Sequence, residues 1–461
     1  MFIKGFKKPT AAFLRDTAGS FTIFTLMILA MMLILGGIAV DLMRFETYRA
    51  RLQATLDRAV LAASDLDICR EGPSHAGAVV EDYVSKAGYG DEISDVQVSS
   101  SDASCSVAAV ASLEVNTIFM QMVSVDQLTT QAYSIAQEIV PQVEISLALD
   151  ISSSMKRNLR MQRLIAAASE FVEVVLTSAA PDTTSINLVP YAGQVNPGPV
   201  MFDRLAGVRL AQPLIDVHGT PGDLTDDIPY PNPGSCLETP NDQMMSTTLP
   251  GSGLPQTPYF MVWPFDDTFG NWGWCPDDAN AVVYASDSVS DLQSNIQQFR
   301  LYDGTGTHYA MKWSAALLDP SSRDAMSGLI PPNFSGRPLD HADDVLKVIV
   351  LMTDGGISQQ FRPRDYFDPL NLSVILNWRQ ADRVTSLGRG RAQRQFNQIC
   401  TRAKEAGIVV FTIAFEAPLS AYEQMVACAS SPAHAYNVDG LEIETAFASI
   451  AGQISQLRLV N

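Results

Sequence analysis

Three oxygen-bearing side chains could together hold a hard cation: Asp150, Ser152 and Ser154. They lie in Asp-Ile-Ser-Ser-Ser, one carboxylate and two hydroxyls at alternate positions of a tight turn. Hard divalent ions such as Mg²⁺, Mn²⁺ or Ca²⁺ take oxygen ligands. A strand ending in a Ser-rich helix cap is the competing reading, since Asp and Ser are common caps. Asp354 closes a second apolar run in Thr-Asp-Gly, and Thr305 lies in the stretch DGTGTH, with Thr307 two residues away as its rival.

These residues need elements that bring them together. Val143–Asp150 and Val345–Thr353 are runs rich in Val, Ile and Leu, of the kind that form strands buried on both faces. Ser185–Tyr191 and Ile408–Phe415 read as further strands, and Tyr436–Asp439 as a short edge strand. Between them lie helical patterns at 160–177, 288–301, 307–318 and 389–406. A closing helix over Leu441–Leu459 turns Ile443, Phe447, Ile450, Ile454 and Leu457 inward. Strands alternating with helices specify an α/β fold, a doubly wound and mostly parallel sheet. Ligands of such sheets bind beyond the carboxyl ends of the strands, where both aspartates stand.

The three-part pattern resembles the von Willebrand factor A domain. Its metal-ion-dependent adhesion site uses a D-x-S-x-S turn, a Thr at the head of a later helix and an Asp after a T-D-G strand. The resemblance implies metal ligation by Asp150, Ser152, Ser154, Thr305 and Asp354, with Mg²⁺ (or Mn²⁺ or Ca²⁺) as the ion. It also implies a partner carboxylate completing the coordination.

Within this domain, expected over 141–461, regularity fails at 194–287. Thirteen of the 26 prolines fall in 197–276, and proline breaks helices and removes ladder donors. The stretch reads as an inserted subdomain, with Trp263, Trp272 and Trp274 as a small core more readily than as a recognition patch. Asp223, Asp226, Asp227, Asp266, Asp267, Asp277 and Asp278 fit no calcium-loop spacing and read as a solvated acidic face.

The N-terminal part is different material. Phe21–Val40 is twenty residues without a charge, the length needed to span a bilayer as a helix. A basic leader, 1–19, precedes it with Lys4, Lys7, Lys8 and Arg15. The run is too long for a secretory signal and lacks a small-residue cleavage site, so a retained anchor is expected over 20–67. Beyond the bilayer, Leu42, Phe45, Leu52, Leu56, Val60 and Ala63 recur at helical spacing. They suit either packing on the chain's own domain or a lateral surface for other anchored helices, and Gly36-Gly37 would permit close helix approach. A small α+β element is expected over 68–140.

This leader resembles the N-terminal region of TadE/TadG-like proteins of the tight-adherence (Flp) pilus system. The shared motifs read here as Asp16-Thr17-Ala18-Gly19-Ser20, Ala39-Val40-Asp41 and the stretch Arg51–Ala63. Phe24 stands where prepilins of this kind carry Glu, and the anchor is expected to be kept. The resemblance implies a role in pilus assembly, with pilin-like or other assembly membrane proteins as partners and a possible hetero-oligomer through the anchor.

Six cysteines, Cys69, Cys105, Cys236, Cys275, Cys400 and Cys428, all follow the anchor. Pairing in chain order gives 69–105, 236–275 and 400–428, one of fifteen connectivities; six buried reduced thiols are the alternative. An even count suits an oxidising compartment. Basic residues are balanced across the anchor, so cysteine usage decides the orientation. The expectation is a single-pass protein of a bacterial inner membrane, its N-terminus cytoplasmic and its bulk periplasmic or at the cell surface.

A net charge of −19 argues against nucleic acid as a partner. The sequence contains no Walker loop, no G-x-S-x-G elbow and no H-E-x-x-H. The histidines, 75, 218, 308, 341 and 434, are scattered, and His308 reads as a surface residue. A cation would hold Asp150 and Asp354 ionised, which suits ligation better than proton transfer. A metal-dependent binding protein is therefore expected rather than an enzyme. The alternative is a structural tether whose metal site is vestigial.

Overall fold

A computed structural model describes residues 18–101, 104–139, 141–179, 182–216, 225, 227–263, 273–342 and 345–460. The basic leader up to residue 17, Trp272, His218, Asp223, Asp226, Asp266 and Asp267 lie outside these. The chain forms two compact units, Met1–Ile139 and Val140–Asn461.

The first unit opens with one long helix, α1 (Ala18–Ala63), followed by α2 (Pro73–Lys86) and the strands β1 (Ile93–Ser101), β2 (Ser104–Asn116) and β3 (Gln127–Ile139). The strands form an antiparallel sheet in the order β1-β2-β3. The two halves of α1 meet different surroundings. From Phe21 to Leu35 most large apolar side chains are exposed, whereas Leu52, Leu56, Val60 and Ala63 are fully buried within the unit. Their spacing puts them on one face of the helix, and that face packs on β2, β3 and α2. Of the two readings of this stretch, packing on its own unit is the one found for these four residues. Cys69–Cys105 closes the unit.

The second unit is built on β4 (Gln142–Asp150), β5 (Thr184–Tyr191), β6 (Val283–Ser286), β7 (Val345–Thr353), β8 (Val409–Phe415) and β9 (Ala435–Val438). The sheet order is β9-β8-β7-β4-β5-β6. All neighbours are parallel except β6, which runs antiparallel at the edge. That edge strand lies inside the stretch expected to be wholly insertion, so the insertion returns its last residues to the sheet. Too short for a period to register, β6 could not be read from sequence.

Helices cover both faces. On one side α3 (Arg160–Thr177), α4 (Val289–Gln297) and α8 (Glu442–Val460) pack through Phe171, Ile296 and Phe447 on Ile145, Leu147, Val350 and Ile413. On the other, α5 (Thr307–Ala316), α6 (Arg389–Glu405) and α7 (Leu419–Cys428) pack through Met311, Phe396 and Met425 on Ala148, Ile349, Leu351 and Val410. Burial on both faces explains why these strands read as runs rich in Val, Ile and Leu. Cys236–Cys275 fastens the insertion, Cys400–Cys428 joins α6 to α7, and no cysteine is free.

The insertion has its own small core of Phe260, Val262 and Trp274, joined by Phe361 and Leu376 from the later loop. Trp274 is fully buried and stacks on Phe260 with ring centroids 5.7 Å apart. Trp263 is 42% exposed, so the tryptophans divide between core and surface.

Candidate functional site

Three loops meet at the carboxyl edge of the central strands. The first leaves β4, whose last residue, Asp150, is fully buried. Asp150 Oδ1 accepts the Ser152 N–H at 2.8 Å, and Oδ2 accepts Thr353 Oγ1 at 2.7 Å. Those bonds turn the chain so that Ser152 Oγ and Ser154 Oγ lie 3.0 Å apart. Ser154 Oγ then donates to Asp354 Oδ1, at 2.5 Å, in the loop after β7.

The third loop carries Thr305, which is 7% exposed. Gly355 marks where it meets the others: a Cβ there would lie 3.8 Å from Ser154 Oγ and 4.0 Å from Thr305 Oγ1. The Thr305 N–H donates to Ser358 Oγ at 3.2 Å, and the Ser358 N–H donates to the Thr305 carbonyl at 2.9 Å. Thr307 heads α5 and is buried against the Tyr191 phenol. All five predicted residues thus occupy one neighbourhood, although some 200 positions separate Ser154 from Asp354.

Burial, and next the charge of Asp354, push the Asp150 carboxyl up to about 7. Burial also raises Asp354, while Ser154 and Arg160 oppose the rise. Two carboxyls drawn out of water beside each other favour a positive charge between them. Arg160, the first residue of α3, supplies one, its Nη1 donating to Asp354 Oδ2 at 2.7 Å. Its Nε donates to Glu416 Oε2 at 2.9 Å, where Asn158 Nδ2 also donates at 2.9 Å.

Sequence reasoning missed Arg160 and the supports beneath the Thr305 loop. Asp303, fully buried, accepts the backbone N–H groups of Val262 (2.6 Å) and Trp263 (2.9 Å), tying the loop to the insertion. Gly304 (φ +79°) lies directly on Trp274, whose ring carbons would be 2.6 Å from a Cβ at that position. A glycine between an acid and a threonine was the only available signal, and it did not point to a tryptophan thirty residues upstream. His308 is a correction: it is fully buried in α5 and not on the surface, and burial pushes its imidazole down to about 3.

Among the described residues, no group of three or more His, Cys, Asp or Glu could hold a metal. The set found here has two carboxyls and three hydroxyls, a donor set that suits hard divalent cations. Both carboxyls are desolvated and Arg160 pairs with Asp354, not Asp150, so the residues fit such an ion.

Residues 19–65 match the family model described as Flp pilus-assembly TadE/G-like. The N-terminal segment is similar to that family. This TadE/G-like segment takes in nearly all of α1, including the apolar run and Asp41. The second unit has the α/β sheet that its von Willebrand factor A-like motifs lead one to expect. Similar solved structures include the vWF domain of the type V pili tip protein Mfa5 from Porphyromonas gingivalis, with 13% identity and a TM-score of 0.36. That alignment covers 69% of this chain and 96% of that domain's chain. The adhesive tip pilin GBS104 of Group B Streptococcus agalactiae aligns at 10% identity and TM-score 0.33, over 68% of this chain and 100% of its own. Proximal thread matrix protein 1 from the mussel byssus, with a zinc-occupied MIDAS motif, aligns at 11% identity and TM-score 0.29. It covers 68% of this chain, and the match spans 46% of the byssus protein. No curated protein matches the chain.

Proposed function

We propose that this chain is a membrane-anchored component of Tad-type pilus assembly that binds a partner protein's carboxylate through a divalent cation. Asp150, Ser152, Ser154, Thr305 and Asp354 hold the ion, the carboxylates directly or through water. The ion is Mg²⁺, with Mn²⁺ and Ca²⁺ as alternatives. The bound ion supplies positive charge and an open coordination position for the partner. The chain's own residues shape that position: Asp150 fixes the Ser152 turn, Ser154 bridges to Asp354, and Ser358 holds the Thr305 loop. The convergence of Ser154, Asp354 and Thr305 around Gly355 is the observation that carries this reading.

Residues 21–40 cross the bacterial inner membrane, with the N-terminus cytoplasmic and the bulk of the chain periplasmic or at the surface. Three disulfides suit that side. Other pilus-assembly or pilin-like membrane proteins are the partners. The function is binding rather than catalysis.

The test is calorimetric titration of the purified full chain with Mg²⁺, for the natural protein and for Asp150→Ala. Binding by the natural chain and its loss in a variant of unchanged circular dichroism are expected. Equal affinity in the two would overturn the site.

One observation favours a second reading. The Arg160 guanidinium already compensates Asp354, as it would in a structural tether with a vestigial site. Normal pilus assembly by a Ser152→Ala/Ser154→Ala double variant would select that reading.

A further inference from the structure

The loop between β2 and β3 presents apolar side chains outward. Ile118, Phe119, Met122 and Val123 are 54%, 37%, 74% and 45% exposed. Two contacts fix where this loop stands along α1. Asp41 is 2% exposed and accepts the backbone N–H groups of Ile118 (3.0 Å), Phe119 (2.7 Å) and Met120 (2.8 Å). Its charge is compensated by Arg44, whose Nη1 lies 3.6 Å away. One turn earlier, Gly37 lies under the side chain of Phe119: a Cβ on Gly37 would come within 2.6 Å of Phe119 Cβ and Cγ. The close approach that the glycine pair permits is therefore used, at Gly37, within the chain itself.

Asp41 is the first charged residue after the apolar run. At a rise of 1.5 Å per residue, Gly37 lies about 6 Å back along the helix from it, inside that run. We propose that the Ile118–Val123 loop enters the lipid bilayer beside α1 as a second, shallow membrane contact. The inference rests on residues 21–40 crossing a bilayer.

Three physical points support lipid as the occupant. The exposed patch meets the helix at Gly37, one turn beyond Leu33 on the same face, and Leu33 is 66% exposed within the apolar run. The depth of about 6 Å matches the 5–10 Å at which apolar faces sit at the headgroup–acyl boundary. A loop at that depth must satisfy its backbone donors within the protein, and Asp41 does so for three successive amides. An acid at the end of an apolar run would ordinarily point to water; this one is turned onto the loop.

The experiment uses the full chain in nanodiscs of phosphatidylethanolamine and phosphatidylglycerol. All native cysteines are in disulfides, so a single added cysteine can carry an environment-sensitive fluorophore. Probes are placed by Met122→Cys, by Leu29→Cys inside the apolar run, and by Leu61→Cys, 68% exposed far along α1. Emission from Met122→Cys should be largely lost to lipids carrying a nitroxide near the top of the acyl chain, emission from Leu29→Cys to lipids carrying it deep in the chain, and both should resist aqueous iodide. Leu61→Cys should show the reverse. In an Asp41→Ala background the Met122→Cys probe should become iodide-sensitive while the Leu29→Cys probe does not. Quenching at Leu29→Cys with iodide sensitivity at Met122→Cys overturns this inference alone. Shielding of Met122→Cys from both quenchers also overturns it, because a second copy or another protein then covers the loop. Iodide sensitivity at Leu29→Cys overturns the membrane-span reading itself.

Discussion

Arg160 donates through Nη1 to Asp354 Oδ2 at 2.7 Å, from the helix that follows the Ser152–Ser154 turn to the loop that follows β7. Both oxygens of Asp354 are thereby engaged, one by Ser154 and one by Arg160. A fixed positive charge at that distance repels an arriving divalent ion. Arg160→Gln should bind Mg²⁺ more tightly, by about tenfold, or about 1.4 kcal/mol. Titration calorimetry at low salt measures this. Weaker binding in the variant would mean that the arginine's main task is to orient Asp354.

The Thr305 loop rests on Trp274 through Gly304, and Trp274 Nε1 donates to Gln360 Oε1 at 2.8 Å. Truncating so large a buried side chain typically costs about 3–5 kcal/mol. Trp274→Ala should therefore loosen the insertion and the loop together. Hydrogen exchange followed by mass spectrometry should show faster exchange over 303–306 and 260–263, with β4 and β7 unchanged. Unchanged exchange in the loop would show that the tryptophan does not support it.

At the opposite end of the sheet, Glu144 is 2% exposed and meets Lys347 Nζ at 3.0 Å, with Arg337 Nε at 4.0 Å. Removing one partner leaves buried charge uncompensated, a loss of about 3–5 kcal/mol. Glu144→Ala should lower the unfolding free energy read from urea titration by that amount and leave the Mg²⁺ affinity of the folded protein unchanged. Altered affinity would reveal coupling along β4.

His308 predicts an acid sensitivity. Its imidazole titrates near 3 in the folded chain against an ordinary 6.5, because burial disfavours the charged form. Between these values the unfolded chain binds the extra proton, so stability is present above about 6.5 and falls as pH drops. From pH 6.5 to 5 the loss due to this residue is roughly 2 kcal/mol at about 1.4 per pH unit. Urea unfolding of His308→Phe at both pH values should show a correspondingly smaller drop. An identical drop in the two proteins would remove His308 from the account.

The sequence alone carried the parts whose signals are local. A charge-free run has the length of a bilayer, and strands buried on both faces lose their polar alternation, so the long apolar helix, β4, β7 and β8 were legible. The Asp150 turn and the Thr-Asp-Gly motif were legible as well, because each is a short contiguous pattern. Pairing the cysteines in chain order matches the three bridges of the structure, although composition alone left fifteen choices.

Tertiary structure decided whatever depends on residues distant in the chain. Nothing near Asp41 announces that its carboxylate will hold the amides of Ile118–Met120, and nothing near Arg160 announces Asp354. The contact of Gly304 with Trp274 arises only when the insertion folds back over the sheet edge. Such partners are chosen by the packing of helices and loops around the sheet, which no periodicity records. The sequence therefore supplied the oxygen-bearing residues and their strands, and the fold supplied the charge and support around them.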